Sequence, residues 1–332
     1  MSLLCLVAGV LLITLAAIDA LWTTLWVDGH GGPLTSRHTS WTRRLIWHLV
    51  PRDDHRLLSL TGPAVLVTSV GAWTLLLWTG WTVLFSADPR SLLHSHAGTP
   101  AGLVDRVYFV GYSLFTLGNG DFSPRGPGWE LATAAASLSG LFLVTLAVTY
   151  LLSLLEAVVQ KRSFASQVMA LGRTPEELVL HAWDGRGFPA LELQIVSLTE
   201  QLNLVSEQHQ AYPMLHYYHE AREEQSVPLG LTIFDDALTL LAHAVREEHR
   251  PGPAALHCAR ESVRLFLDTL RTAYVEPAGE PAPPPDLGRL RAAGIPTVPD
   301  GELAATLRGL EERRRLLRGF LEGENRAWPG AR

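Results

Sequence analysis

The chain has 332 residues, 47% of them hydrophobic, with 27 basic and 33 acidic side chains and a formal net charge of −6. That balance offers no basic surface for nucleic acid, and two cysteines, Cys5 and Cys258, are too few for a disulfide framework. The length suits a membrane module plus one further domain, and apolar residues concentrate in the first 160 positions.

Residues 1–27 form an apolar run longer than the roughly 20 residues a spanning helix needs. No basic residue precedes Leu3 and the run exceeds a signal-peptide core, so a retained helix is expected, with a cleaved leader as the alternative. Asp19 is the only formal charge in it; such a carboxylate marks function or a protein-facing surface, but the neighbouring Trp22 and Trp26 favour one solvated at the membrane interface. Residues 28–56 carry Arg37, Arg43, Arg44, Arg52 and Arg56, which marks them as cytoplasmic. Trp41, Leu45, Ile46, Trp47 and Leu49, interleaved with Arg43 and Arg44, predict either a helix lying on the inner leaflet or an ordinary connecting helix.

Residues 57–85 make a second span. Thr99-Pro100 then supplies an N-cap and a first-turn proline. Leu103, Val107, Val110 and Leu114 follow at helical spacing, which predicts an amphipathic helix over about residues 100–115. Its negative dipole end would favour a cation beside the next residues.

Those residues read Thr116-Leu117-Gly118-Asn119-Gly120-Asp121. Glycines at alternate positions permit positive φ, which lets successive carbonyls align on one side and, with a threonine hydroxyl, replace an ion's hydration shell. An ordinary surface turn is the alternative, since Asn-Gly and Gly-Asp are common turn dipeptides.

A third span covers 131–160. Thr145, Thr149, Leu152 and Glu156 share one face of it. In a tetramer, four copies of Glu156 would form an acidic ring at the cytoplasmic mouth. The alternative has the threonines bonding back to their own helix and Glu156 marking the membrane exit. Lys161 and Arg162 close the span on the basic, cytoplasmic side, so the hexapeptide is expected on the outer face and residues 161–332 inside. A single lysine against twenty-six arginines suits a GC-rich bacterial genome, and hence a bacterial inner membrane.

Beyond Arg162 the pattern stays helical. Leu191, Ile195, Leu198, Leu202 and Val205 form one stripe, Phe234, Leu238, Leu241 and Val245 a second, and Ala259, Val263, Phe266, Leu270 and Tyr274 a third. These predict an all-helical cytoplasmic domain over 165–276, which would bias the opening of the third span through a cytoplasmic regulator that it binds or, in a scaffold, recruit a cytoplasmic partner. A nucleotide-binding sheet domain is not expected, because no hydrophobic strand precedes Gly185, Gly187 and Pro189. A proline-rich linker over 277–300 leads to a helix over 301–325. There Leu303, Leu307, Leu310, Leu317 and Leu321 approach heptad spacing, with Arg314 at a would-be core position of a tetramerising coiled coil.

His209, His216, His219 and Glu220, near Glu223 and Glu224, are the candidate ligand cluster outside the hexapeptide. His216, His219 and Glu220 would share a helical face, fit for a transition metal given one more ligand, for a pH response, or for simple solvation. No nucleophile triad, phosphate loop or catalytic carboxylate pair stands out, so no enzyme and no cofactor are expected.

From about Leu57 to Gln160, a third of its length, the chain resembles the two-transmembrane pore module of the potassium-channel superfamily, whose filter usually reads Thr-Val-Gly-Tyr-Gly-Asp. The resemblance implies that Thr116, Leu117, Gly118, Asn119 and Gly120 coordinate the permeant cation and that Asp121 shapes the outer mouth. Tyr108, Phe109, Tyr112 and Ser113 would support the filter, and Gly140 would be the point at which the inner helix bends to open. Leu117 stands for Val, Asn119 for the bracing Tyr, and Tyr112 where some members keep an acidic residue. The expected fold is an all-α membrane protein: a pore-loop, tetrameric potassium-channel-like transmembrane domain with one extra N-terminal span, plus an all-helical cytoplasmic domain. One filter copy per chain implies a homotetramer in the lipid bilayer. Potassium is the expected ion, with sodium admitted if Asn119 loosens the filter; a non-conducting membrane-anchored receptor or scaffold is the reading from another class.

Overall fold

The computed structural model describes residues 2–26, 31–49, 54–273 and 275–330, with side chains over 2–26, 31–42, 54–271 and 275–330. Met1, Val27, Asp28, Arg52 and Tyr274 lie outside the described residues, as do the side chains of Arg43, Arg44, Leu45, Ile46, Trp47 and Leu49. The chain divides into two compact units, Met1–Arg44 with Pro63–Leu154 and Leu45–Gly62 with Leu155–Arg332.

The first unit is built on three helices long and apolar enough to cross a membrane: α1 (Leu3–Leu25), α4 (Thr61–Phe85) and α6 (Pro127–Leu171). Between the first two in sequence run α2 (Pro33–Leu49), which from Leu45 on is counted with the second unit, and the single turn α3 (His55–Leu58), which belongs to that unit. Between the last two lie β1 (Leu92–His94), α5 (Leu103–Leu114) and β2 (Phe122–Pro124). Helices α1 and α4 cross on glycines: a Cβ on Gly9 would meet the Gly80 carbonyl and Leu84 at 2.8 Å, and one on Gly80 would meet Ile13 at 2.8 Å. Small residues at such a crossing let backbones approach where lipid gives helices no hydrophobic reason to associate.

Asp19 departs from the sequence expectation of a solvated carboxylate. It is fully buried, and it accepts from Leu34 N at 2.7 Å, Thr35 N at 3.2 Å, Thr35 Oγ1 at 2.6 Å and Trp73 Nε1 at 2.7 Å. Its carboxylate thus satisfies the orphan amides at the start of α2 and pins that helix to α1 and α4, the favoured place for a negative group on a helix. Gly32 is needed there, because its Cβ would collide with the Asp19 carboxylate. The segment 28–56, left open between an interfacial and a connecting helix, contains α2, with Trp41 exposed and Thr35, Thr39 and Thr42 buried.

The second unit is helical. After the tail of α6 come α7 (Pro175–Ala182), α8 (Pro189–Ala211), α9 (Val227–Thr239), α10 (Pro253–Ala273), α11 (Leu287–Ala292), α12 (Asp300–Gly309) and α13 (Glu311–Gly323). The described members of the three predicted stripes all lie in one apolar core, together with Phe164, Ala165 and Val168 of α6. A fourth stretch, Val227–Ala244, is also apolar enough to span, but 89% of it is buried in this unit, so its apolarity serves the core.

Two expectations for the C-terminal part are corrected. The stretch 277–300 is not a bare linker: Leu287, Leu290, Ile295 and Val298 belong to the core. The helix expected over 301–325 is two, α12 and α13, broken at Leu310. Leu303, Leu317 and Leu321 point into the core of their own chain and so are spent before any coiled coil forms. Arg314, awkward for a coiled-coil core, is buried against Asp236 and lies over the Trp328 ring at 5.3 Å.

Candidate functional site

The hexapeptide begins as a helix cap. Thr116 N donates to Ser113 O at 3.1 Å and Leu117 N to Tyr112 O at 2.8 Å, the bond pair of a Schellman ending in which the residue after the cap turns left-handed. That residue is usually glycine; here it is Thr116, with φ of 57°. A β-branched side chain resists that conformation, and strain of this kind collects at functional positions. Gly118 and Gly120 repeat it at φ of 60° and 78°, so positive φ alternates through the segment as the glycine spacing predicts.

Alternation leaves a row of acceptors. Among the described residues nothing donates to the carbonyls of Thr116, Leu117, Gly118 or Asn119, and residues 115–121 are exposed in the single chain. The Gly120 carbonyl differs, for it accepts the Ser95 hydroxyl at 2.7 Å. Asp121 is exposed, and its carbonyl accepts Ser95 N at 3.0 Å.

Behind the segment stands α5, which begins at Leu103 and not at Pro100. Gly102 is its N-cap, its amide bonded to Asp105 Oδ2 at 2.8 Å, while Pro100 sits in a bridge to Leu93. Phe109, Tyr112 and Ser113 are buried. Phe109 packs on Phe85 with centroids 5.3 Å apart and on Tyr112 at 5.2 Å. Tyr108 is half exposed, and its hydroxyl accepts the Asn119 side-chain amide. The brace expected from a tyrosine in the hexapeptide therefore runs the other way, from a ring on α5 to an amide in the segment. Trp78 Nε1 donates to Val107 O at 2.8 Å and Trp81 Nε1 to Ser139 Oγ at 3.0 Å, tying α5 to α4 and α4 to α6.

Gly140 of α6 faces the end of α5. A Cβ there would collide with the Leu114 carbonyl, so glycine is required for close approach at a position expected to serve as a bend. Further along α6, Thr145, Thr149, Leu152 and Glu156 are all exposed on one face. The threonine hydroxyls bond to carbonyls one turn back, at 2.9 Å and 3.0 Å, and Glu156 accepts Gln160 Nε2 at 3.2 Å.

An ion-channel family model matches residues 71–157, a window that opens in α4, contains the hexapeptide and closes in α6. Over the whole length the chain is similar to the uncharacterized membrane protein YdjJ of Bacillus subtilis (strain 168): 38% identical over 326 residues, spanning 97% of this chain and 94% of the relative. The chain belongs to that membrane protein's family. No solved structure matches it.

In this family member the ion-channel window supplies the pore module, and the second unit holds the remaining ionisable candidates. His209 is buried and bonds Val205 O of its own helix at 2.8 Å. His216 lies in a short 3-10 helix, Pro213–Tyr217, with His219 and Glu220 in the irregular chain after it, so the shared α-helical face expected of these three does not form. Among the described residues no group of three His, Cys, Asp or Glu side chains is placed to hold a metal ion. Instead, His219 Nε2 meets His55 Nδ1 at 2.8 Å and His219 Nδ1 lies 3.5 Å from Glu324. Beside them Glu220 and Lys161, both buried, pair at 2.7 Å. Lys161 Nζ also donates to Tyr218 O at 2.6 Å. Burial pulls His219 down to about 3, and burial with Glu220 alongside pushes Glu324 up to about 8.

Sequence reasoning missed Ser95, the bonding role of Asp19, and the burial of Lys161. Ser95 lies 25 residues from its carbonyl partner, and no local pattern announces a bond that only strand pairing creates. Lys161 does carry a signal, as the chain's single lysine, but its place at the end of an apolar span is equally that of an ordinary membrane flank.

Proposed function

We propose that the chain is a homotetrameric cation channel, selective for potassium, whose filter is Thr116–Asn119. The observation that carries this reading is the run of four consecutive carbonyls without donors among the described residues, on a backbone whose positive-φ positions alternate and begin with a strained threonine. A surface turn would leave such groups to water; four copies around an axis would give them a cation instead. The ion-channel window over 71–157 supports the same reading. Potassium is the permeant ion and no resident cofactor is needed, and no catalytic chemistry is assigned.

Opening is assigned to α6, at Gly140 and at the Glu156 mouth. The helix runs unbroken from Pro127 to Leu171, and its last turns are part of the second unit's core through Phe164, Ala165 and Val168. A ligand or partner that rearranges that core therefore acts directly on the helix that carries the mouth. The protein belongs in the bacterial inner membrane with the second unit in the cytoplasm.

The test is ion flux from purified protein in liposomes, under a potassium gradient and then a sodium gradient, with Asn119→Tyr beside wild type. Potassium flux without sodium flux is expected from wild type. Equal flux of both ions, made selective by Asn119→Tyr, would identify a non-selective pore, and a tetramer without flux would favour the scaffold reading.

A further inference from the structure

After α4 and a six-residue turn the chain forms β1, which pairs antiparallel with β2 in the register Leu92↔Pro124, Leu93↔Ser123 and His94↔Phe122. Because β2 starts one residue after Asp121, this two-stranded ribbon fixes the outer exit of the hexapeptide. The chain leaves β1 in a tight turn. His94 N donates to Thr99 O and Gly98 N to His94 O, both at 2.9 Å, and Gly98 has φ of 64°. Ser95 is the first residue of that turn, and the turn aims both its donors at the filter's outer end. Its amide meets Asp121 O at 3.0 Å and its hydroxyl meets Gly120 O at 2.7 Å, with Ser123 Oγ 3.1 Å away. His94, one residue earlier, packs tilted against Phe122 with centroids 4.8 Å apart and reaches Asp105 Oδ2 at 3.3 Å, the same oxygen that holds the α5 N-cap amide.

We infer that Ser95 is a positioning residue of the filter, which ends the row of ion-binding carbonyls at Asn119 by engaging the Gly120 carbonyl and so sets discrimination between potassium and sodium. The inference rests on the channel reading above. Its physical basis is that a carbonyl accepting a protein hydroxyl is held in one orientation, whereas the four before it have no donor among the described residues. Discrimination among ions depends on how many carbonyls act and how firmly they are held. Ser95→Ala removes the hydroxyl and leaves the backbone bond to Asp121, so the Gly120 carbonyl is released while the ribbon remains. Ser95→Thr keeps the hydroxyl.

The experiment is calorimetric titration of the purified full-length protein in detergent with potassium and with sodium, on wild type, Ser95→Ala and Ser95→Thr, with size-exclusion profiles compared first. Wild type is expected to prefer potassium. Ser95→Ala should lose about tenfold of that preference, the scale of one hydrogen bond made or lost, and Ser95→Thr should retain it. A general packing role would be moved by both substitutions, so loss of preference in Ser95→Thr as well would overturn the assignment. An unchanged preference in Ser95→Ala would overturn it while leaving the channel reading intact. Wild type without any preference would overturn both.

Discussion

The Asn119 side-chain amide donates to the Tyr108 hydroxyl, joining the hexapeptide to α5 at the position where that hexapeptide departs most from the potassium-channel pattern. Tyr108 is held for this by edge-on contacts with Tyr112, centroids 5.2 Å apart, and Phe122 at 6.3 Å. Tyr108→Phe keeps those ring contacts and deletes the acceptor. With about 1 kcal/mol at stake in one hydrogen bond, the potassium-to-sodium permeability ratio should fall roughly fivefold with no change in assembly, as read from reversal potentials under bi-ionic conditions.

Gly140→Ala offers a sign test. Alanine in a helix interior is favoured over glycine by about 1 kcal/mol, so a helix free of neighbours would be stabilised. Here the added methyl meets the Leu114 carbonyl, and overpacking of this kind costs about 1–3 kcal/mol. The thermal midpoint of the purified protein should fall. A rise would show that α6 stands clear of α5 at this point.

Lys161 and Glu220 form a buried pair at 2.7 Å. Deleting one partner strands the other charge, at a cost of about 3–5 kcal/mol, whereas replacing both by apolar groups is often neutral. Lys161→Met should therefore destabilise the second unit severely, and Lys161→Met with Glu220→Leu should recover most of the loss. Denaturant unfolding of the two variants, followed by tryptophan fluorescence, checks both halves of this expectation.

The same cluster gives stability a pH profile. Glu324 is raised from 4.5 to about 8 by burial and by Glu220, against Lys161 and Arg326. The fold therefore holds a proton that the unfolded chain releases. That contribution is complete below about pH 4.5 and is lost as the pH climbs to about 8. Asp236, raised to about 7 by burial, adds to the same alkaline limb. His209 and His219, lowered to about 3 by burial, act in the opposite sense, and their contribution is lost as pH falls from 6.5 toward 3. Above pH 6.5 the carboxyls act alone, so the thermal midpoint should drop between pH 6.5 and 8, and Glu324→Gln should flatten part of that drop.

What could be read from the sequence was what repeats locally. The stripe Leu191, Ile195, Leu198, Leu202 and Val205 is a period of about 3.6, and all five are buried. The alternation of Gly118 and Gly120 likewise announced the backbone that forms. What escaped depends on partners distant in the chain. Asp19 looks like an interfacial charge until Trp73, 54 residues away, and Thr35 close on it. Arg314 looks misplaced until Asp236, 78 residues away, accepts it. The break at Leu310 left only a faint mark, since neither proline nor glycine occupies that position and Gly309 just before it was the single hint.

The most direct test of the filter assignment is to locate the ion. Thallium(I) resembles potassium in size and charge and scatters anomalously, so crystals of the protein grown with it would show where monovalent cations sit. The account predicts anomalous peaks on a fourfold axis, ringed by the carbonyls of Thr116, Leu117, Gly118 and Asn119 from four copies, and none ringed by the Gly120 carbonyls. An assembly without that axis, or peaks absent from the segment, would contradict it.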